Sequence, residues 1–215
     1  MMKKINFLLP LIICSCIPYS YAQDRTDDIP QVLIGNGIDN ISGFGGLLME
    51  FSSINGDFGV STGGGGAVLL NQAFFFGGYG LNNHSNATYT NLLGIPGDAN
   101  LDFRHGGLWA GYIFKPNKLF HYNISSKFGW GNIRLTDITA PGELIMNDNV
   151  FTVTPQAEGE INIAYWFRIN ASAGYRFTSG VNNRYYRTRD FSSPAFTLSF
   201  LFGWFKKYQL PHWWH

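Results

Sequence analysis

Six ionisable residues, Glu50, Lys127, Glu158, Glu160, Arg168 and Arg176, fall in segments that alternate polar and apolar side chains. In a β-strand such alternation gathers the polar positions on one face. Carboxylates and cations gathered this way can do three kinds of chemistry. Paired, they can fill and neutralise a closed interior, because buried charges persist only with partners. Rearranging, they could form a narrow ion path or gate. Joined by His105 or His121 and a serine, Glu158 or Glu160 could serve a lipid-modifying hydrolase or acyltransferase. The last reading lacks a Gly-x-Ser-x-Gly elbow, and spacing along separate strands does not bring a nucleophile to a base. The expectation is therefore an ionic network lining an interior, with no catalytic residues assigned.

A second group, Arg184, Tyr185, Tyr186, Arg187 and Arg189, clusters between two strand-like segments. Guanidinium groups interleaved with aromatic rings suit a carbohydrate, a lipopolysaccharide phosphate or a protein partner. The plainer reading is a solvated loop. Gly63 to Gly66 is not followed by Gly-Lys-Ser/Thr or by a helix, so it reads as strand glycines rather than a phosphate loop. His212 and His215 lack the carboxylate or thiol company of a defined metal site. No metal and no cofactor is expected.

These residues need strands to position them. From Ile41 onward no long stretch has helical spacing, and turn signals separate eight β-like segments. They span about 43–52, 57–70, 73–82, 101–114, 119–136, 150–164, 167–178 and 194–205. In 150–164, Thr152, Thr154, Gln156, Glu158, Glu160 and Asn162 alternate with Phe151, Val153, Ala157, Ile161 and Ile163. The same contrast recurs in 119–136, 167–178 and 194–205. In 101–114 it is ambiguous: His105 and Trp109 could point inward, or Arg104 could, with a bulge at Gly106-Gly107 reconciling the two. Links at 70–72, 115–118 and 164–166 are tight, whereas 83–100, 137–149 and 179–193 are long. Only Ser53-Ile54-Asn55-Gly56, an Asn-Gly hairpin, is short among the latter. Short turns at one end and long loops at the other are the layout of a membrane barrel.

Alternation alone does not say which face points outward, since a soluble barrel buries its apolar face. Aromatics near strand ends, as at Phe120, Tyr122, Phe128, Trp130, Tyr165 and Trp204, favour interfacial girdles and lipid outside. Glycines on the polar faces, Gly129, Gly174 and Gly203, favour a narrow lumen with little room. Composition agrees: charged residues are 13% and aromatics 17% of 215 residues, against about 25% charged in ordinary soluble domains. Residues 1–22 read as a signal peptide, with Lys3 and Lys4 before an apolar run and Ser20-Tyr21-Ala22 as the cleavage site. Cleavage there would remove both cysteines, Cys14 and Cys16; lipidation of Cys16 is the competing processing. It would also take Lys+Arg from 15 to 13 against 14 acidic residues, leaving no basic surplus for nucleic acid.

The stretch containing Gly43-Phe44-Gly45-Gly46, Glu50-Phe51-Ser52, Asn55-Gly56-Asp57-Phe58, Gly63 to Gly66 and Phe74-Phe75-Phe76-Gly77-Gly78-Tyr79-Gly80 resembles uncharacterised outer-membrane β-barrel proteins of Bacteroidota. Beyond Leu81 the likeness is one of layout, as in small OmpA- and OmpX-like barrels, and it carries over no functional residue. It departs at the carboxyl end, where Lys206 to His215 follow Phe205. The expectation is an all-β, eight-stranded, antiparallel up-and-down transmembrane β-barrel over 41–205. A signal peptide (1–22) and a periplasmic lead-in (23–40) precede it, and a tail (206–215) follows. It would be exported to the outer membrane and meet lipid and lipopolysaccharide there. It would act as a noncatalytic structural or binding protein through its extracellular loops, on a ligand or protein partner left open. The alternatives are an outer-membrane lipid-modifying enzyme and a secreted soluble barrel with an apolar ligand inside.

Overall fold

The computed structural model describes residues 38, 40–54, 56–83, 88–90, 98–137, 144–182 and 187–205. Residues 1–22, read above as a signal peptide with Cys14 and Cys16, nearly all of 23–40, and 206–215 lie outside the described residues. Among the described residues there are nine strands: β1 (Ile41–Ile54), β2 (Asp57–Leu70), β3 (Phe74–Asn83), β4 (Thr88–Thr90), β5 (Asp98–Phe114), β6 (Phe120–Asp137), β7 (Leu144–Ala164), β8 (Phe167–Ser179) and β9 (Ser193–Gly203). Every pairing is antiparallel, in the order β3-β2-β1-β9-β8-β7-β6-β5, and β3 also pairs with β5. Eight long strands thus form a closed up-and-down ring with no free edge, and β4 only extends the pairing of β5 beyond it. β4 was not foreseen, and β7 starts six residues before the expected 150, so the loop ahead of it is shorter than 137–149.

Local chemistry sets the turns. Asn71 (φ 51°) and Gln72 (φ 60°) both adopt left-handed backbone, and Ala73 N–H donates to Leu70 O at 3.0 Å, a tight hairpin whose twist matches its strands. Gly56, at φ 88°, closes the hairpin in which Ile54 pairs with Asp57. The β2–β3, β5–β6 and β7–β8 turns lie at the end where β1 begins and β9 finishes, which we call the turn end. The longer connections share the loop end.

Polar faces point inward and apolar faces outward. Glu50, Lys127, Thr152, Thr154, Glu158, Glu160, Arg168, Asn170 and Arg176 are buried in the lumen, while Phe120, Tyr122, Ile124, Trp130, Phe177 and Phe196 are exposed on the wall. This is the reverse of a soluble barrel holding an apolar ligand. The β5 ambiguity resolves without the bulge considered at Gly106-Gly107, because β5 pairs with β6 in continuous register from Ala99 to Phe114. His105 and Trp109 point inward. Arg104 stays outside at the loop end, bound to Asp102, where its charge needs no burial.

The lumen is solid. Phe44, Leu48, Leu69, Phe75 and Trp109 pack together from β1, β2, β3 and β5, with Phe44, Phe75 and Trp109 meeting edge-to-face at 5.2–5.7 Å. A second apolar cluster, including Ile54, Phe103, Ile133, Leu135 and Phe191, closes the loop end. Gly129 leaves the space that Tyr79 and Thr152 occupy, since a Cβ there would stand 2.3 Å from the Tyr79 hydroxyl.

Candidate functional site

The six ionisable residues divide between two clusters. Near the turn end, β7 brings Glu158 and Glu160 inward two residues apart, and β6 and β8 supply their partners from the same face. His121 Nε2 and Arg168 Nη1 approach Glu160 Oε1 at 2.8 and 2.7 Å. Asn123 and Asn170 amides donate to Glu160 Oε2 at 3.2 and 3.3 Å. Glu158 is held by neutral donors: Ser125 Oγ, Gln156 Nε2 at 2.7 Å and Asn170 Nδ2 at 2.5 Å. Trp109 Nε1 donates to Ser125 Oγ at 3.3 Å, tying this cluster to the apolar one. Phe205 covers the Arg168 guanidinium at 3.8 Å.

The second cluster lies toward the loop end. Arg176 Nη1 donates to Glu50 Oε1 at 2.8 Å and to Ser52 Oγ at 3.0 Å. Its Nε donates to Phe191 O at 3.1 Å. Lys127 Nζ stands 3.7 Å from Glu50 Oε2 and donates to Thr197 Oγ1 at 3.3 Å. Beside them Tyr79 Oη and His105 Nδ1 are 3.1 Å apart. Three carboxylates and three Lys or Arg cations are buried in all, so the lumen is formally neutral apart from its histidines, as a low-dielectric interior requires.

Among the described residues these contacts are those of paired charges and their amide partners. His121 has both ring nitrogens engaged, Nε2 by Glu160 and Nδ1 by Lys118 O at 3.2 Å, so neither is free to take a proton from a nucleophile. Ser125, the serine nearest the carboxylates, bonds Glu158 rather than a histidine, and no nucleophile–base–orienter chain forms among the described residues.

At the loop end, Arg184, Tyr185 and Tyr186 lie outside the described residues. Arg187 and Arg189 are exposed at the barrel mouth. Arg187 N–H donates to Asp190 Oδ2 at 2.7 Å, starting a 3-10 turn over Thr188–Phe191. That turn drives Phe191 into the lumen, 5.7 Å from Phe103, while Arg189 keeps only a loose pair with Asp190 at 3.8 Å. The described part of the loop is thereby anchored with Arg187 and Arg189 exposed.

Comparison with family models and with curated proteins found no match. Among solved structures, the chain is similar to Ail, the attachment invasion locus protein of Yersinia pestis, crystallised with the heparin analogue sucrose octasulfate (14% identity, 76% of this chain, 97% of that one, TM-score 0.50). It is also similar to Neisserial surface protein A (9% identity, 77% and 97%, TM-score 0.52). The fold is that of the small outer-membrane barrels. At these identities the likeness concerns the fold alone.

Sequence reasoning named the six charges as a network but did not assign to it the polar-face amides that complete their shells: Asn123, Gln156 and Asn170. Strand alternation puts them on the same face as the carboxylates, so that signal was available. Phe191 as a plug had no comparable signal, because a lone aromatic within a polar loop has no periodicity to place it.

Proposed function

We propose that this protein is an outer-membrane barrel with a noncatalytic role, whose wall and lumen serve as an anchor and whose loop end binds an anionic saccharide. The observation that carries this reading is the combination of an apolar outer wall with a lumen plugged by neutralised charge and packed rings. Such a body supports residence in a bilayer and leaves the outer surface as the place for recognition. Arg187 and Arg189 project there on an anchored loop, and Arg184, Tyr185 and Tyr186 belong to the same segment. A guanidinium cluster suits sulfate, phosphate or carboxylate groups. The sulfated sugar bound to Ail supports the choice of an anionic saccharide.

Cell fractionation and gel migration with and without heating test the placement: recovery in the outer membrane with a heat-dependent mobility shift is expected, and recovery in the soluble periplasm would defeat it. For the ligand, the purified barrel is titrated with heparin fragments. The R187Q/R189Q variant is expected to bind at least fivefold more weakly, with affinity falling as salt rises; equal binding would refute the loop assignment.

A further inference from the structure

The outer wall is not uniformly aromatic. Across β2, β3 and β5, outward positions pair glycine with glycine: Gly64 faces Gly80, Gly80 faces Gly106, and Gly66 faces Gly78. Trp130 on β6 continues the first row. The next row toward the loop end runs Thr62, Asn82, Arg104 and Asn132. Between these rows lies an outward-opening groove of about 440 Å³. Its floor is backbone, its side wall the Trp130 indole, and its loop-end rim carries Arg104. Arg104 grips Asp102 through Nε at 3.0 Å and Nη2 at 2.5 Å, and Arg134 lies directly across from the same Asp102. Among the described residues of these two facing rows, two guanidiniums accompany one carboxylate, and only Arg104 is paired with it.

Strand packing accounts for part of the bare floor, since a Cβ on Gly106 would stand 2.7 Å from Tyr79 O. It does not account for Gly80, where a Cβ would meet nothing within 4 Å. A strand position facing acyl chains would ordinarily carry an apolar side chain, and its omission leaves a concavity. Cationic and amide groups at one end, an interfacial indole beside it and an apolar channel below match an amphiphile with an anionic head.

We propose that this groove holds one phosphate-bearing lipid of the outer leaflet, its head group at Arg104 and Arg134 and an acyl chain over Gly80 and Gly106. The inference rests on the outer-membrane reading above but concerns the wall, not the loop. The full barrel, refolded in detergent, is examined by native mass spectrometry with lipid A, with enzymatically dephosphorylated lipid A and with phosphatidylcholine as probes. Wild type is expected to retain one lipid A at least fivefold more than either other probe. R104Q/R134Q removes that preference through the head group, and G80L removes retention by filling the floor. R187Q/R189Q leaves retention unchanged, which separates this site from the loop site, and the heat-dependent shift verifies that each variant is folded. Equal retention of the three probes by wild type, or of lipid A by all variants, overturns the proposal. So does dimerisation abolished by G80L, which would make a second copy of the chain the occupant.

Discussion

Where β1, β2, β3 and β5 form the wall, the lumen side carries Phe44, Leu48, Leu69, Phe75 and Trp109, and the outward positions include Gly45, Gly64, Gly66, Gly78, Gly80 and Gly106. Where β6 to β9 form it, the lumen side carries Lys127, Glu158, Glu160, Arg168 and Arg176, and the outside carries Phe120, Tyr122, Trp130, Phe177 and Phe196. One half has mainly apolar bulk inside, with Glu50 its one Lys, Arg or carboxylate charge there, and glycines outside among apolar side chains such as Leu47, Val68, Phe76 and Leu108; the other has charge inside and aromatic bulk outside. The first half is held by packing, whose cost on truncation is a cavity. The second is held by paired polar groups, whose cost on truncation is an orphaned partner.

That contrast can be broken most forcefully at one residue in each half. Arg176→Ala strands Glu50 in the lumen with only Lys127 at 3.7 Å, and Trp109→Ala empties the centre of the aromatic layer. Each is expected to destabilise by about 3–5 kcal/mol, read from urea titration of the barrel folded in lipid. The halves differ in their rescue. Adding both Glu50→Gln and Lys127→Met to Arg176→Ala should recover much of the loss, because Lys127 has Glu50 as its carboxylate partner and no unpaired charge then remains in this cluster. No partner substitution that leaves the cavity unfilled should rescue Trp109→Ala. Failure of the combined Glu50→Gln and Lys127→Met rescue would mean that packing, not pairing, holds both halves.

The outer surfaces come next in size. Phe128→Arg sets a guanidinium among the aromatics of the β6 wall and is expected to cost about 2–4 kcal/mol if that position lies near the bilayer midplane, less toward an interface. In lipid vesicles of increasing thickness the penalty should grow. A penalty indifferent to thickness, or absent, would mean that this face does not meet acyl chains.

The same asymmetry explains what was legible beforehand. In β6 to β9 the two faces differ in polarity, so Thr152 to Asn162 against Phe151 to Ile163 announced the strand and its two faces, the aromatics near strand ends favoured the apolar face as the outer one, and five of the six lumen charges stood on the other. In β1 to β3 both faces are largely mixtures of apolar residues and glycine. A run such as Gly63 to Gly66 carries no polarity contrast, so the strands were legible from turns and composition but their facing was not. β5 sits at the seam, with Arg104 outside and His105 inside, and its alternation was correspondingly ambiguous. Pairing partners across strands, such as Arg176 with Glu50, depend on ring closure between β1, β9 and β8, which no local pattern encodes.

Within the lumen, Gly129 separates fit from flexibility. Its Cβ would meet Tyr79 Oη at 2.3 Å and Thr152 Oγ1 at 2.7 Å, so Gly129→Ala is expected to cost about 1–3 kcal/mol by overpacking. Adding Tyr79→Phe removes the nearest atom and should return part of that loss. If the double variant is no more stable than Gly129→Ala, the ring itself rather than its hydroxyl sets the limit.

The smallest effect is the most discriminating for the glycine face. Gly63 and Gly80 pair on adjacent strands one position out of step, yet their surroundings are opposite: a Cβ on Gly63 would stand 1.9 Å from the Gly80 carbonyl oxygen, whereas one on Gly80 meets nothing. Gly63→Ala must therefore push β2 and β3 apart and should be plainly destabilising. Gly80→Ala should change stability by no more than about 0.5 kcal/mol, because only open surface receives the methyl. If Gly80→Ala proved as damaging as Gly63→Ala, the bare floor would be a demand of strand packing, and the groove would be its by-product. If it is silent in stability, the fold tolerates a side chain at Gly80, and the reason for its absence has to be sought in what lies against the wall.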